Sequence, residues 1–133
     1  MEDRTAFEIM TRPAISAKLK ASARDIALQF INEHYSGMPV TEEDGKVIGI
    51  VTEIDILNAI NDGKELSRTT AGDIMTPEVV SANPDTPITE MIKMMEEFHI
   101  IRLPVVQDNK LIGVVSRGDI IRNLVEPEFM SNM

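Results

Sequence analysis

The chain of 133 residues has no cysteine and no tryptophan, one tyrosine and four phenylalanines. Without cysteine there can be no disulfide, no thiolate nucleophile and no zinc-thiolate centre. Aromatics are 4% of the residues while 43% are hydrophobic, so the core must be aliphatic, helped by nine methionines. Positive charge is also scarce: 13 Lys and Arg face 22 Asp and Glu, a formal net charge of −9. That sign disfavours direct nucleic-acid binding, which rests on cations neutralising phosphates. It leaves room for a small anionic ligand held by a few local cations. No apolar run approaches the roughly 20 residues that a membrane-spanning helix needs. The opening MEDRTAFEIM lacks the basic-then-apolar order of a signal peptide. The expectation is a cytoplasmic protein with no direct contact to membrane or nucleic acid.

What the sequence does have is a repeat. MPVTEEDGKVIGIVTEIDIL at 38–57 returns as LPVVQDNKLIGVVSRGDII at 103–121. At an offset of 65, Thr5-Ala6, Ile9-Met10-Thr11, Ser16-Ala17, His34 and Pro39-Val40 meet Thr70-Ala71, Ile74-Met75-Thr76, Ser81-Ala82, His99 and Pro104-Val105. Past Val40 the offset drops to 64. Asp44, Lys46, Ile48, Gly49, Val51, Asp55 and Ile56 then meet Asp108, Lys110, Ile112, Gly113, Val115, Asp119 and Ile120. The shift falls just before an Asp-Gly turn signal, where a folded repeat tolerates an indel.

Each repeat predicts the same elements. A short helical lead-in (4–10; 70–75) stops at Thr-Arg-Pro or Thr-Pro, because proline ends helices. A short strand follows (14–17; 79–82). An amphipathic helix comes next, carrying Ala23, Ile26, Ala27, Phe30 and Ile31, or Ile88, Met91, Ile92, Met95 and Phe98, at helical spacing. Thr86-Pro87 has the form of an N-cap followed by proline at the first helical position. A hairpin turns at Glu43-Asp44-Gly45-Lys46 in the first repeat. A last helix (55–60; 119–125) closes the repeat, with Asp62-Gly63 ending the first one. Gly49 and Gly113, inside strands, mark a bulge or a close approach. His34 and His99 fall at helix C-termini, where an imidazolium suits the dipole better than a ligand role does. Met91, Met94 and Met95 read as core.

The chain thus divides into residues 1–62 (first repeat with its lead-in helix), a polar linker at 63–69, and residues 70–133 (second repeat with a tail). The expected fold class is α+β. Two β-α-β-β-α repeats pack sheet to sheet about a pseudo-twofold axis, because one repeat of about 55 residues is marginal alone.

The ordered set IMT-x-x-x-x-x-S, Gly-Met-Pro-Val or Arg-Leu-Pro-Val, a V/L-I-G-I/V-V strand, and Thr-Glu-Ile-Asp or Ser-Arg-Gly-Asp occurs twice, from about Arg4 to Val125. In this the chain resembles the tandem cystathionine β-synthase (CBS) domain pair, or Bateman module. The resemblance implies a regulatory module that binds an adenosine-containing ligand, AMP, ADP or ATP, or in some cases S-adenosylmethionine. It implies no required cofactor and no metal. Such modules are commonly parts of larger enzymes, transporters or channels. Here no such part is attached, which points to a stand-alone homodimer, a four-domain disc, acting on an unidentified regulated protein.

The residues admit a plain reading beside the functional one. Thr52-x-x-Asp55 and Ser116-x-x-Asp119 are shortened capping boxes. They could equally present a carboxylate to ribose hydroxyls and a helix N-terminus to phosphate, and the resemblance favours the second use. Gly37-Met38-Pro39 and Arg102-Leu103-Pro104 are strand starts that tolerate proline, or walls for an adenine ring. Arg102 is a surface cation, or a guanidinium that forks onto phosphate. The resemblance implies one cleft drawing on Thr5, Met10, Gly37, Met38, Pro39, Ile101, Arg102, Ser116, Arg117 and Asp119. The other draws on Ile50, Thr52, Asp55, Met75, Leu103 and Pro104. The Asp119 cleft is the better nucleotide site, because Arg102 and Arg117 stand where the other repeat has Gly37 and Glu53. No Ser-His-Asp set, Walker-type loop or metal-spaced histidines appear, so no catalysis is expected. The alternative is a dimerisation scaffold that binds no ligand.

Overall fold

The computed structural model describes residues 3–131, with side chains from 3 to 125. The termini of the two expected segments, residues 1, 2, 132 and 133, lie outside this range. The elements run α1 (Ala6–Ile9), β1 (Ala17–Lys18), α2 (Ala23–Glu33), β2 (Gly37–Thr41), β3 (Val47–Thr52), α3 (Glu53–Asn61), a 3₁₀ turn (Leu66–Arg68), α4 (Ala71–Ile74), α5 (Ile88–Phe98), β4 (Arg102–Gln107), β5 (Lys110–Ser116) and α6 (Arg117–Ser131). This is an α+β chain in which the predicted order recurs twice.

The compact units are not the sequence repeats. One unit is Ile15–Val79; the other joins Met1–Ala14 to Val80–Met133. Each lead-in helix therefore packs with the other repeat's elements. We call these the Asp55 unit and the Asp119 unit.

In the Asp55 unit, β1 runs parallel to β2, and β2 pairs antiparallel with β3, setting Gly37 opposite Thr52 and Pro39 opposite Ile50. The register slips between Val40 and Thr41, so the sheet bulges beside Gly49. Asp44 and Gly45 make the turn: Gly45 takes φ +92°, and Lys46 N donates to Asp44 Oδ1 at 3.0 Å. Val40 and Val51, fully buried, join Ile26, Phe30, Met38 and Ile56 in one cluster. Ala71 of α4 enters the same cluster, and the lead-in is anchored by Ala71 N donating to Ala21 O at 2.8 Å. The polar segment 63–69 is built into this unit. It holds the 3₁₀ turn, and Leu66 packs on the cluster.

The Asp119 unit repeats the plan with two strands and one bridge. β4 and β5 pair antiparallel, with Arg102 opposite Ser116, and the register slips between Val105 and Val106, beside Gly113. The strand expected at 79–82 contracts to a single parallel bridge from Ala82 to Val105. Its hairpin turns on Asp108 and Asn109, both with positive φ, a two-residue turn. Ile88, Met91, Leu103, Val105 and Val115 form the core, joined by Ala6 and Ile9 of α1.

The cap of α5 sits one residue later than expected. Pro87 is the N-cap, and the Thr86 hydroxyl accepts from Asn83 N instead. Proline has no side-chain acceptor, so the orphan amides turn to the lead-in. Ile88 N donates to Arg4 O at 2.8 Å, and Asp3 accepts from Thr89 N and Oγ1. His34 and His99 each adopt left-handed φ as helix C-caps. Ile31 and Phe98, placed on apolar stripes by periodicity, lie in the last turns of α2 and α5 and are 69% and 48% exposed.

Candidate functional site

The Asp119 unit builds its site from the start of β4, the end of β5, the first turn of α6 and the residues after α1. Ser116 ends β5 and begins α6. Its hydroxyl accepts from Asp119 N at 3.0 Å, and its own N donates to Asp119 Oδ2 at 2.9 Å. The expected capping box is therefore formed. Asp119 is 5% exposed, and the Thr11 hydroxyl reaches its two oxygens at 3.2 and 3.3 Å. Thr11 is held by a reciprocal backbone pair with Val114. Arg122, one turn further along α6, closes a 2.5 Å ion pair on Asp119 Oδ1. Arg117 N donates to Ile101 O at 3.0 Å and its Nε to Ile100 O at 3.3 Å. The result is a carboxylate oriented on three sides at a helix N-terminus, with arginines at 102, 117 and 122 on the surrounding elements.

The lead-in residues divide. Met10 lies over Gly113; a Cβ at that glycine would meet Met10 Sδ, and Met10 Cγ at 2.9 Å. Thr5 faces its own helix: its N and Oγ1 both donate to Glu8 Oε1 at 3.0 Å. Those two bonds, the backbone one foremost, hold the Glu8 carboxyl below its ordinary range. Thr11 is thus the lead-in threonine that meets Asp119. The sequence signal was its place in the repeated Ile-Met-Thr motif, to which no site role was given. Pro104 is buried opposite Val114, and Ile101 is part exposed.

The Asp55 unit reproduces this frame. Thr76 and Ile50 make the same reciprocal backbone pair, Glu53 N donates to Ser36 O at 3.2 Å, and Met75 lies over Gly49, its Sδ 2.6 Å from where a Cβ would stand. Thr52 N and Oγ1 donate to Asp55 Oδ2 at 2.8 and 3.0 Å. Gly37, Met38 and Pro39 belong with this set by strand pairing, as Leu103 and Pro104 belong with Ser116. Within each unit the strand start beside the carboxylate thus belongs to the carboxylate's own repeat. The lead-in comes from the other repeat. Among the described residues, Asp55 Oδ1 accepts no hydrogen bond, and Asn58 stands where Arg122 does. No group of three or more His, Asp or Glu that could hold a metal occurs among the described residues. No described helix is long and apolar enough to cross a membrane.

Comparison with known proteins agrees with this duplicated frame. Residues 6–62 and 71–126 each match the family described as CBS domain. An uncharacterized protein of Methanocaldococcus jannaschii, MJ1426, is 33% identical over 76% of this chain and 80% of its own length. The L-aspartate semialdehyde sulfurtransferase of the same organism is 32% identical over 86% of this chain, which spans only 22% of that enzyme. Among solved structures, CBSX2 in complex with AMP is 26% identical, with a TM-score of 0.81 over 94% of this chain and 98% of that one. The CBS domain pair of MJ0100, in complex with 5′-methylthioadenosine and S-adenosyl-L-methionine, is 28% identical, with a TM-score of 0.78 over 95% and 99%. With the family matched twice over most of its length, this chain belongs to the CBS domain family and carries two copies of the domain.

Proposed function

We propose that the chain is a regulatory module that binds an adenosine-containing ligand, AMP, ADP, ATP or a related adenosyl compound, and catalyses no reaction. The observation that carries this reading is the buried Asp119 carboxylate, aimed by Ser116 N and Thr11 Oγ1 at the first turn of α6. A carboxylate so fixed can accept from both ribose hydroxyls, while Arg102 and Arg117 offer charge-assisted bonds to phosphate. The adenosyl ligands of CBSX2 and MJ0100 support it. Nothing in either set pairs a nucleophile with a base, and each carboxylate already serves a helix cap. Occupancy would act on a partner protein by favouring the arrangement that binds ligand better. Isothermal titration of the whole chain with adenosine, AMP, ADP and ATP tests it. A saturable heat with a matching thermal shift is expected, and silence with all four overturns it.

A second reading has its own observation. Leu57 of α3 and Ile121 of α6, equivalent in the repeat, are each 59% exposed; Ile54 and Ile60 of α3 and Val125 of α6 are also more than half exposed. In the Asp119 unit a groove of about 340 Å³ between α5 and α6 is lined by Ile92, Met95, Glu96, Arg117, Ile120, Ile121 and Leu124. Large apolar side chains left exposed on helices are what a homodimer interface needs. On this reading the module is a dimerisation scaffold independent of ligand. Sedimentation equilibrium showing a monomer removes it.

A further inference from the structure

The two carboxylate centres share a backbone and differ in charge. Arg117 N on Ile101 O and Glu53 N on Ser36 O are the same hydrogen bond at equivalent positions, so Arg117 and Glu53 leave the helix at the same place. Arg102 opposite Ser116 corresponds to Gly37 opposite Thr52. Arg122, paired with Asp119, corresponds to Asn58. The Asp119 unit therefore carries arginines at these three positions, of which Arg122 touches the carboxylate, whereas the Asp55 unit carries Gly37, Glu53 and Asn58 there. Lys18 bonds Glu42 O at the hairpin, and Lys64 follows the C-terminus of α3, about 13 Å along a nine-residue helix.

Both centres keep the acceptor that a ribose needs, so the charge difference falls on whatever the 5′ carbon carries. At Asp119 the ion pair from Arg122 already balances the carboxylate, and Arg117 and Arg102 add attraction for an anion. At Asp55 an anionic 5′ group would meet a carboxylate with no ion pair among the described residues, while Glu53 adds a second negative charge to the same first turn of α3, and like charges brought close disfavour binding. We propose that residues 117 and 53, with 122 and 58, set ligand charge: the Asp119 centre takes adenosine bearing phosphate, and the Asp55 centre takes adenosine whose 5′ substituent is neutral or cationic, such as a thioether or a sulfonium. This rests on the adenosine-binding reading above and assigns a different ligand class to each centre.

Amide chemical shifts read the two centres separately in the intact chain. Adenosine, AMP and 5′-methylthioadenosine are titrated at low ionic strength, following Thr52–Asp55 and Ser116–Asp119. AMP is expected to shift the Ser116–Asp119 amides at a concentration about tenfold lower than it needs at Thr52–Asp55, and 5′-methylthioadenosine is expected to show the reverse order. The double variant Glu53→Arg, Asn58→Arg is expected to bring AMP to the Thr52–Asp55 amides, and both positions are exposed enough to accept arginine. Equal responses to AMP and 5′-methylthioadenosine at either centre overturn the proposal, as does a Thr52–Asp55 set that ignores 5′-methylthioadenosine. If none of the three compounds moves either set, the adenosine-binding reading itself fails.

Discussion

Thr11 Oγ1 lies 3.2 Å from Asp119 Oδ1, a hydrogen bond between residues 108 positions apart. It joins the lead-in of the first repeat to the carboxylate of the second, inside one compact unit. Its counterpart is missing: among the described residues the Thr76 hydroxyl makes no bond to Asp55. The two threonines should therefore behave differently. Thr11→Val removes a part-buried bond to a charged acceptor and is expected to cost about 1–2 kcal/mol in stability. It should also weaken AMP binding several-fold, because Asp119 loses a donor that aims it. Thr76→Val should cost well under about 1 kcal/mol. Urea unfolding of both variants checks the contrast, and equal losses would contradict the assignment.

The strand glycines make a second test. A Cβ on Gly49 would stand 2.9 Å from the Thr76 carbonyl oxygen and 2.6 Å from Met75 Sδ; one on Gly113 would run into Met10. Each alanine substitution is expected to destabilise by about 1–3 kcal/mol, the usual cost of overpacking. Gly49→Ala should lose more, since a backbone oxygen cannot swing away as a thioether can. Adding Met10→Ala to Gly113→Ala should recover part of the loss, which a thermal melt series can show. Unchanged melting in both single variants would mean that the lead-ins do not pack where they are described.

Acid should weaken the lead-in helices first. Thr5 lowers the Glu8 carboxyl from its ordinary 4.5, and Thr70 lowers Asp73 from 3.8, in each case through the backbone bond and then the hydroxyl. A depressed folded value means that the stabilisation is fully present above the unfolded value and fades as pH falls through the folded one. Below about pH 4 the wild type should therefore lose an advantage that Glu8→Gln, Asp73→Asn never had. Melting temperatures of the two proteins, separated at pH 7, should draw together as the pH falls below about 4. A constant separation would show that these caps carry no linked proton.

Leu57→Glu and Ile121→Glu probe the outer helices. Both side chains are mostly exposed, so each variant should fold with a change of about 0.5 kcal/mol or less. If the scaffold reading holds, the wild type sediments as a dimer and the charged variants as monomers. A dimer unaffected by both changes would place the interface elsewhere.

Much of this protein was legible along the chain. The duplication, the α2 and α5 stripes, the Asp-Gly turn and both capping boxes follow from spacing and side-chain chemistry over a few residues. Thr52-Asp55 and Ser116-Asp119 form as read because a cap needs only its own helix. The misses share a cause. The cap at Pro87 instead of Thr86 depends on Arg4 and Asp3, more than 80 residues away. Thr11 drew no site role because its partner Asp119 lies 108 positions away, whereas Thr5-x-x-Glu8 is a capping box that its own helix satisfies. The strand at 79–82 shrank to one bridge because β pairing is set by a partner edge and not by local propensity.

Local chemistry along the chain settled that there are two copies, which elements each contains, and that each offers a carboxylate at a helix start. It could not settle which lead-in serves which copy, because two repeats of the same pattern allow either assignment with the same local preferences. Tertiary packing made that choice. Met10 fits over Gly113 and Met75 over Gly49, Ala6 and Ala71 enter the opposite repeat's core, and Thr11 thereby arrives at Asp119. Burial of those side chains is a property of the folded neighbourhood, so it is decided only when distant segments meet.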